Sequence, residues 1–184
     1  MDIEKINLNF FSFKTKIGEI YYIWPSFVPD NDIQNNKEEN ILINFIGLGE
    51  IAFNNYMDKI AKNLYKEELV IGESQNKYIE SEIYNYLEGK SKKININPHF
   101  LTGSDFEKSV WEKMMEVPYG ETRSYREIAC LVGKPKAYRA TGTAIGKNPL
   151  LLLVPCHRVI KSSGEVGNFS SGIEVKKFLL DLEG

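Results

Sequence analysis

The chain has 184 residues, 42% hydrophobic and 26% charged, and its 23 basic against 25 acidic side chains leave a formal charge of −2. Those proportions exclude a disordered or collagen-like chain, and the length suffices for one large core or two small ones. No apolar run reaches the roughly 18–20 residues that cross a bilayer, and MDIEKINLNF has no basic start followed by an apolar stretch, so no membrane association and a cytoplasmic location are expected.

Ile6–Phe13 alternates with period two and Ile17–Trp24 is rich in β-branched and aromatic residues; with Gly18 near the turn they predict a hairpin. Pro25–Asn40 is polar and predicts a long loop. Ile41–Ile46 and Ile51–Phe53 predict strands split by Gly47 and Gly49. Asn55–Tyr65 and Lys77–Leu87 predict helices. In the second, Ile79, Ile83, Tyr86 and Leu87 share a face, and Gly89 supplies a stop. Residues 1–100 therefore read as an α/β domain, a small sheet with helices.

Near Pro98–Gly103 the texture changes, which places a second, mainly α domain at residues 101–184. Ser104 with Glu107 is a capping-box pattern opening a helix, with Phe106, Val110, Met114 and Val117 on its apolar face. Pro118 and Gly120 end it. Ser124–Val132 is a second helix with Ile128, Ala129 and Leu131 apolar. Gly133–Lys134–Pro135 breaks the chain, and Lys136–Gly146 is a third helix. Two short helices about a Gly-containing turn suggest a helix-turn-helix, although many helical hairpins bind nothing.

Charge is unevenly spread. Residues 1–100 hold 11 lysines, no arginine and 15 acidic residues, whereas 101–184 hold 12 basic and 10 acidic ones, including every arginine. Glu121–Lys161 carries eight basic residues against Glu121 and Glu127. Such a window fits either an anionic partner or a solvated basic face. Around Arg139 the third helix offers Ala137, Ala140, Gly142 and Ala144, and few long polar side chains able to read base edges. Small residues with one long cation suit a shape-based approach to a minor groove; equally, the alanines could pack on the core.

Leu150–Val154 predicts a buried strand ending at Pro155–Cys156–His157–Arg158–Val159–Ile160. A thiol beside an imidazole and a guanidinium is a candidate nucleophile. Nearby cations are expected to lower its pKa from about 8.5, and His157 is a candidate base. From these residues alone Cys156 could be that nucleophile or an inert buried thiol. Cys130, inside an apolar helix, reads as buried and inert. Only Cys130, Cys156, His99 and His157 could form a four-ligand zinc site and no CxxC pair occurs, so no metal and no cofactor are expected.

The segment from Asn148 through Pro155–Cys156–His157–Arg158 to Ile160 resembles the active-site motif of O6-alkylguanine-DNA alkyltransferases, also called methylated-DNA–protein-cysteine methyltransferases. Pro118–Tyr125 resembles the opening of that family's helix-turn-helix, Arg139–Gly142 its arginine-finger helix, and Ser163–Gly172 its binding-site loop. Lys176, Leu179, Leu180 and Glu183–Gly184 resemble its last helix. The likeness covers residues 104–184 and is specific; residues 1–100 match only loosely. It implies a ribonuclease H-like N-terminal domain and a winged-helix-like C-terminal domain containing the helix-turn-helix. The implied partner is duplex DNA containing O6-alkylguanine. The implied protein is a monomer, found at the nucleoid of a prokaryote or in a eukaryotic nucleus.

The resemblance also assigns roles. The damaged nucleotide must be flipped out to be reached. Arg139 would fill the space it leaves, Tyr125 would rotate the 3′ phosphate, and Ala137, Ala140, Arg123 and Arg158 would face DNA. Asn148 would join the recognition helix to the active-site segment. Cys156 would accept the alkyl group, activated by His157 through a water and oriented by Glu183. Tyr125 would assist departure by donating to guanine N3, and Lys176 would orient that donor. The carbonyls of Cys156 and Val159 and the amide of Ser170 would select guanine, between walls that include Ile145 and Phe169. The thioether is stable, so one event per molecule is expected. This sequence departs from many relatives at Phe169 (Tyr), Thr143 (a small residue) and, from some, at Leu151 (Pro). Three rivals are distinguishable: a lesion-binding relative would lack Cys156, a transcription regulator would need readout side chains on the third helix, and a thiol hydrolase would turn over.

Overall fold

The computed structural model describes residues 5–26, 41–63 and 68–184. Strands β1 (Lys5–Thr15) and β2 (Gly18–Pro25) form the expected antiparallel hairpin, pairing Phe13 with Ile20 and Thr15 with Gly18. The predicted loop lies outside the described residues beyond Ser26, as do residues 64 and 65 of the first predicted helix. A two-residue strand β3 (Leu42–Ile43) precedes β4 (Phe45–Leu48), which pairs antiparallel with β2. Gly47 is thus inside a strand rather than a break.

Ile51–Phe53 is helical, not a strand: it lies in α1 (Glu50–Asn63). Gly49 stops β4 with φ +81°. Beyond it, Ala52, Phe53, Tyr56, Met57 and Ile60 recur at helical spacing and cover Leu8, Ile23 and Phe45. Ile51 itself is 79% exposed. Strand β5 (Glu68–Glu73), absent from the sequence reading, pairs in parallel with β1 and completes a mixed sheet of order β4-β2-β1-β5.

The opposite sheet face, Ile20, Tyr22 and Trp24, packs on α2 (Lys77–Leu87), whose Ile79, Ile83, Tyr86 and Leu87 are buried as their spacing predicted. A short strand β6 (Asn97–Pro98) then pairs with β3. The same apolar cluster continues into α3 (Asp105–Met115), which is opened by the expected Ser104–Glu107 capping box and buries Val110, Trp111 and Met114. After strand β7 (Arg123–Ser124), a second capping box, Ser124 with Glu127, opens α4 (Tyr125–Leu131). Leu131 is 48% exposed, so the buried face of α4 is Ile128 and Ala129 alone. Helix α5 (Tyr138–Gly146) starts two residues later than predicted, and the Trp111 indole donates to the Ala144 carbonyl at 2.8 Å, tying it to α3. Strand β8 (Val159–Ile160) pairs in parallel with β7, and α6 (Ile173–Glu183) closes the chain.

Gly103 turns the chain into α3 at φ +103°, and a Cβ there would lie 2.5 Å from the Trp111 ring. Gly103→Ala should therefore cost about 1–3 kcal/mol through strain and displacement of that ring. Urea denaturation checks this; an unchanged midpoint would show that Trp111 is not held there.

Candidate active site

The segment leading to the thiol is not the predicted strand. Only one rung joins it to the sheet: the Ile46 amide donates to Pro149 O and the Leu151 amide to Ile46 O, both at 2.9 Å. The chain then coils on itself through Leu153 N to Leu151 O and Val154 N to Leu150 O, with Leu152 at φ +70°. The Asn148 side chain ties this knot. Its Oδ1 accepts from the Leu150 amide and its Nδ2 donates to Val154 O, each at 2.9 Å. The leucines supply burial rather than strand pairing. Cys156 opens a single 3₁₀ turn, Cys156–Arg158, and β8 follows at once, so the sheet edge β4 and the strand β7 grip the turn from its two ends.

Cys156 is buried, and Asn148 Nδ2 lies 3.1 Å from its Sγ. The expected lowering of the thiol pKa does not occur. Burial raises it, and the Asn148 hydrogen bond and the Lys176 charge offset only part of that rise. The resting group is a neutral thiol. His157 is fully buried, and burial lowers its pKa against the opposing pull of Glu183, so it too rests neutral. Its Nε2 lies 2.7 Å from Glu183 Oε1. A carboxylate only accepts, so Nε2 carries the proton and the lone pair sits on Nδ1, which has no protein partner among the described residues. The structure thus pairs Asn148 with Cys156 and, at the next residue along the 3₁₀ turn, His157 with Glu183.

Arg158, expected to face DNA, is turned inward. Its Nε donates to Glu183 Oε2 at 2.8 Å, its Nη2 to Oε1 at 3.0 Å and its Nη1 to Val117 O at 2.6 Å, and it is 7% exposed. A buried carboxylate demands a cation, and the 3₁₀ turn delivers this one. Burial would raise the pKa of Glu183, but donors from His157, Arg158 and Tyr86 outweigh it and hold the group well below the usual carboxylate range. Tyr86, which reads as simple core in the sequence, donates its hydroxyl to Glu183 Oε1. Nothing in a helical apolar stripe marks one member as a donor. Lys176 is also buried. Its ammonium donates to the Val159 carbonyl, 5.9 Å from the Phe169 ring, and burial pushes its pKa down to about 8.

A cavity of about 460 Å³ reaches Cys156 and is lined by Tyr125, Gly142, Ile145, Gly146, Cys156, Asn168, Phe169 and Ser170. Tyr125 is half-buried beside the thiol, and Val159 is buried behind it. On α5, Arg139, Ala140 and Thr143 are exposed, Ala137 is half-buried, and Thr141, Ala144 and Ile145 face the core. Of the small residues, Ala144 packs on the core as one reading foresaw, whereas Ala140 is exposed on the opposite side of the helix. Arg123 pairs with Glu121 at 2.8 Å and Lys147 with Glu107, which removes part of the basic window; Arg126, Lys134, Lys136 and Arg139 have no acidic partner among the described residues. Cys130 is exposed, because its position on α4 is on the solvent side of Ile128 and Ala129.

The model of the 6-O-methylguanine DNA methyltransferase DNA-binding domain matches residues 105–184. A probable methylated-DNA–protein-cysteine methyltransferase of Acanthamoeba polyphaga mimivirus is 36% identical over 138 residues, 75% of this chain and 91% of that protein. The chain belongs to the methylated-DNA–protein-cysteine methyltransferase family. A family member from Methanosarcina barkeri is 56% identical over 81 residues, 44% of this chain. The chain spans about half the length of several of the curated relatives it matches, 51% in that case. The solved Mycobacterium tuberculosis OGT in complex with DNA superposes with a TM-score of 0.70 at 26% identity, covering 97% of this chain and 92% of that one. The mixed sheet with packed helices is therefore the methyltransferase-family fold over nearly the whole chain, including the part that the domain match leaves out.

Removing the Glu183 charge from its buried cluster of donors should be costly. Glu183→Gln leaves the buried Arg158 without an anion and should lower stability by about 3–5 kcal/mol at pH 7. Because the folded pKa of Glu183 lies below its unfolded value of about 4.3, its contribution is complete above that pH and is lost as pH falls through the folded value. The variant should lose less stability than the wild type between pH 5 and pH 3. Equal acid slopes in urea titrations would refute the placement of this charge.

Proposed function

We propose that the protein repairs DNA by direct reversal, moving the alkyl group of O6-alkylguanine in a duplex onto Cys156 in one irreversible event. The observation that carries this reading is the position of the thiol. It lines a cavity beneath the helix-turn-helix α4–α5, and the next residue in the chain is a neutral imidazole whose proton is held on Nε2 by Glu183, leaving Nδ1 free to accept. In this reading the exposed face of α5 enters the minor groove, its small residues allow close approach, and Arg139 replaces the flipped nucleotide. Arg126, Lys134 and Lys136, which have no acidic partner among the described residues, attract the phosphates.

In the reaction a bond forms between Sγ and the alkyl carbon while the carbon–O6 bond breaks, and its electron pair leaves with guanine. The thiol proton passes through a water to Nδ1 of His157, and Glu183 stabilises the imidazolium. A neutral thiol and a neutral base are consistent with proton loss timed to attack. Tyr125 donates to guanine N3, and Lys176 orients the donor. The carbonyls of Cys156 and Val159 and the amide of Ser170 select the base; Val159 O, already held by Lys176, keeps a second lone pair for it. No thiol is placed to regenerate Cys156, so the protein is consumed.

The finer features of the family belong to the same proposal. They are a ribonuclease H-like domain at 1–100, a winged-helix-like domain at 101–184, action as a monomer, and a cytoplasmic, nucleoid or nuclear location. Arg139→Ala should slow repair of a duplex lesion at least tenfold and leave reaction with a free O6-alkylguanine base within about twofold, since the finger meets only duplex DNA. Single-turnover kinetics on both substrates test this; equal losses would sink the finger assignment.

A further inference from the structure

We propose that Tyr86 is a positioning residue of thiol activation: its hydroxyl, brought in by α2, donates to Glu183 and sets how strongly that carboxylate pulls on His157. The inference rests on the alkyl-transfer reading above for its kinetic consequence, but not for its geometry. Tyr86 lies outside residues 105–184, the part matched by the DNA-binding domain model.

Glu183 Oε1 takes three donors, the Tyr86 hydroxyl, His157 Nε2 at 2.7 Å and Arg158 Nη2 at 3.0 Å. Oε2 takes Arg158 Nε at 2.8 Å and the Gly120 amide at 3.1 Å. Each donor disperses carboxylate charge that would otherwise draw a second proton onto the imidazole. The Tyr86 oxygen also lies 3.4 Å from His157 Nε2. That nitrogen is already protonated, so the hydroxyl proton has only the carboxylate to go to. Among the described residues, the other charged and titratable groups around this cluster include Arg158, Lys176 on α6, Tyr119, whose ring lies 5.7 Å from the Arg158 guanidinium and 6.0 Å from the Tyr86 ring, and Lys92, whose ammonium lies 5.6 Å from the Tyr119 ring. Arg158 and Lys176 both oppose a charge on His157, in addition to burial. Tyr86 acts in the same sense without adding a charge, and from an element that the helix-turn-helix does not contain.

This separates two roles that a packing argument merges. As core, Tyr86 supplies a ring edge-on to Tyr119, and phenylalanine supplies the same ring. As a donor it supplies one proton, and phenylalanine supplies none. Tyr86→Phe should therefore fold normally, but its Glu183 should hold His157 as the imidazolium up to a higher pH.

Two readouts on the full chain test the proposal. In ¹⁵N-imidazole NMR, where the chain's two histidines give two pairs of ring-nitrogen signals and His157→Gln identifies the relevant pair, the His157 midpoint should rise in Tyr86→Phe. In single-turnover alkyl transfer the acid limb should move up in pH with it. The rate at pH 7 should fall about tenfold, or about 1.4 kcal/mol, by the same factor on duplex and on a free O6-alkylguanine base. An unmoved midpoint would overturn the proposal, whether the rate held or fell evenly across pH. A moved midpoint without a change in rate would overturn its role in activation. If the wild type transferred no alkyl group while the midpoint still moved, the functional reading would fail and the Tyr86–Glu183–His157 linkage would stand.

Discussion

A single buried carboxylate organises the molecule. Glu183 accepts hydrogen bonds from α2 through Tyr86, from the turn after α3 through Gly120, and from the 3₁₀ turn through His157 and Arg158. A buried carboxylate is costly unless it is paired and hydrogen-bonded, and the Arg158 guanidinium with the surrounding donors offsets that cost. Their convergence fixes the imidazole tautomer and seats α6 against the turn that precedes the helix-turn-helix. Stability and chemistry thus share one set of contacts.

The thiol illustrates how burial and reactivity were separated. Neighbouring cations suggested an activated thiolate, yet one of them, Arg158, is spent on Glu183, and burial dominates what remains at Cys156. A buried neutral thiol resists adventitious electrophiles and oxidation, because the thiolate is the reactive species. The Asn148 amide that folds the Leu150–Val154 knot also reaches Sγ, so the knot and the thiol share one hydrogen-bond donor.

Local rules were legible in the sequence. The capping box at Ser104, the apolar stripe of Lys77–Leu87 and the β1–β2 hairpin each follow from periods and caps within a dozen residues, and each formed as read. What failed turned on contacts and faces that residue type does not announce. Leu150–Val154 has strand composition, but Asn148 turns it back on itself. Ile51–Phe53 was read as a strand after Gly49, while the helical spacing through Ile60 decides it. At the site, Cys156, His157 and Glu183 were found through the family resemblance, whereas the inward turn of Arg158, the exposure of Cys130 and the hydroxyl of Tyr86 are set by which face the fold presents. Residue type alone carries no such information.

The central claim is that Cys156 takes the alkyl group and keeps it. Intact-protein mass spectrometry after mixing with a duplex containing O6-methylguanine tests it most directly. The account predicts one added methyl in place of one hydrogen, mapped to Cys156 by peptide sequencing and saturating at one per chain. A protein that bound the lesion tightly but gained no mass, or gained it at another residue, would contradict it.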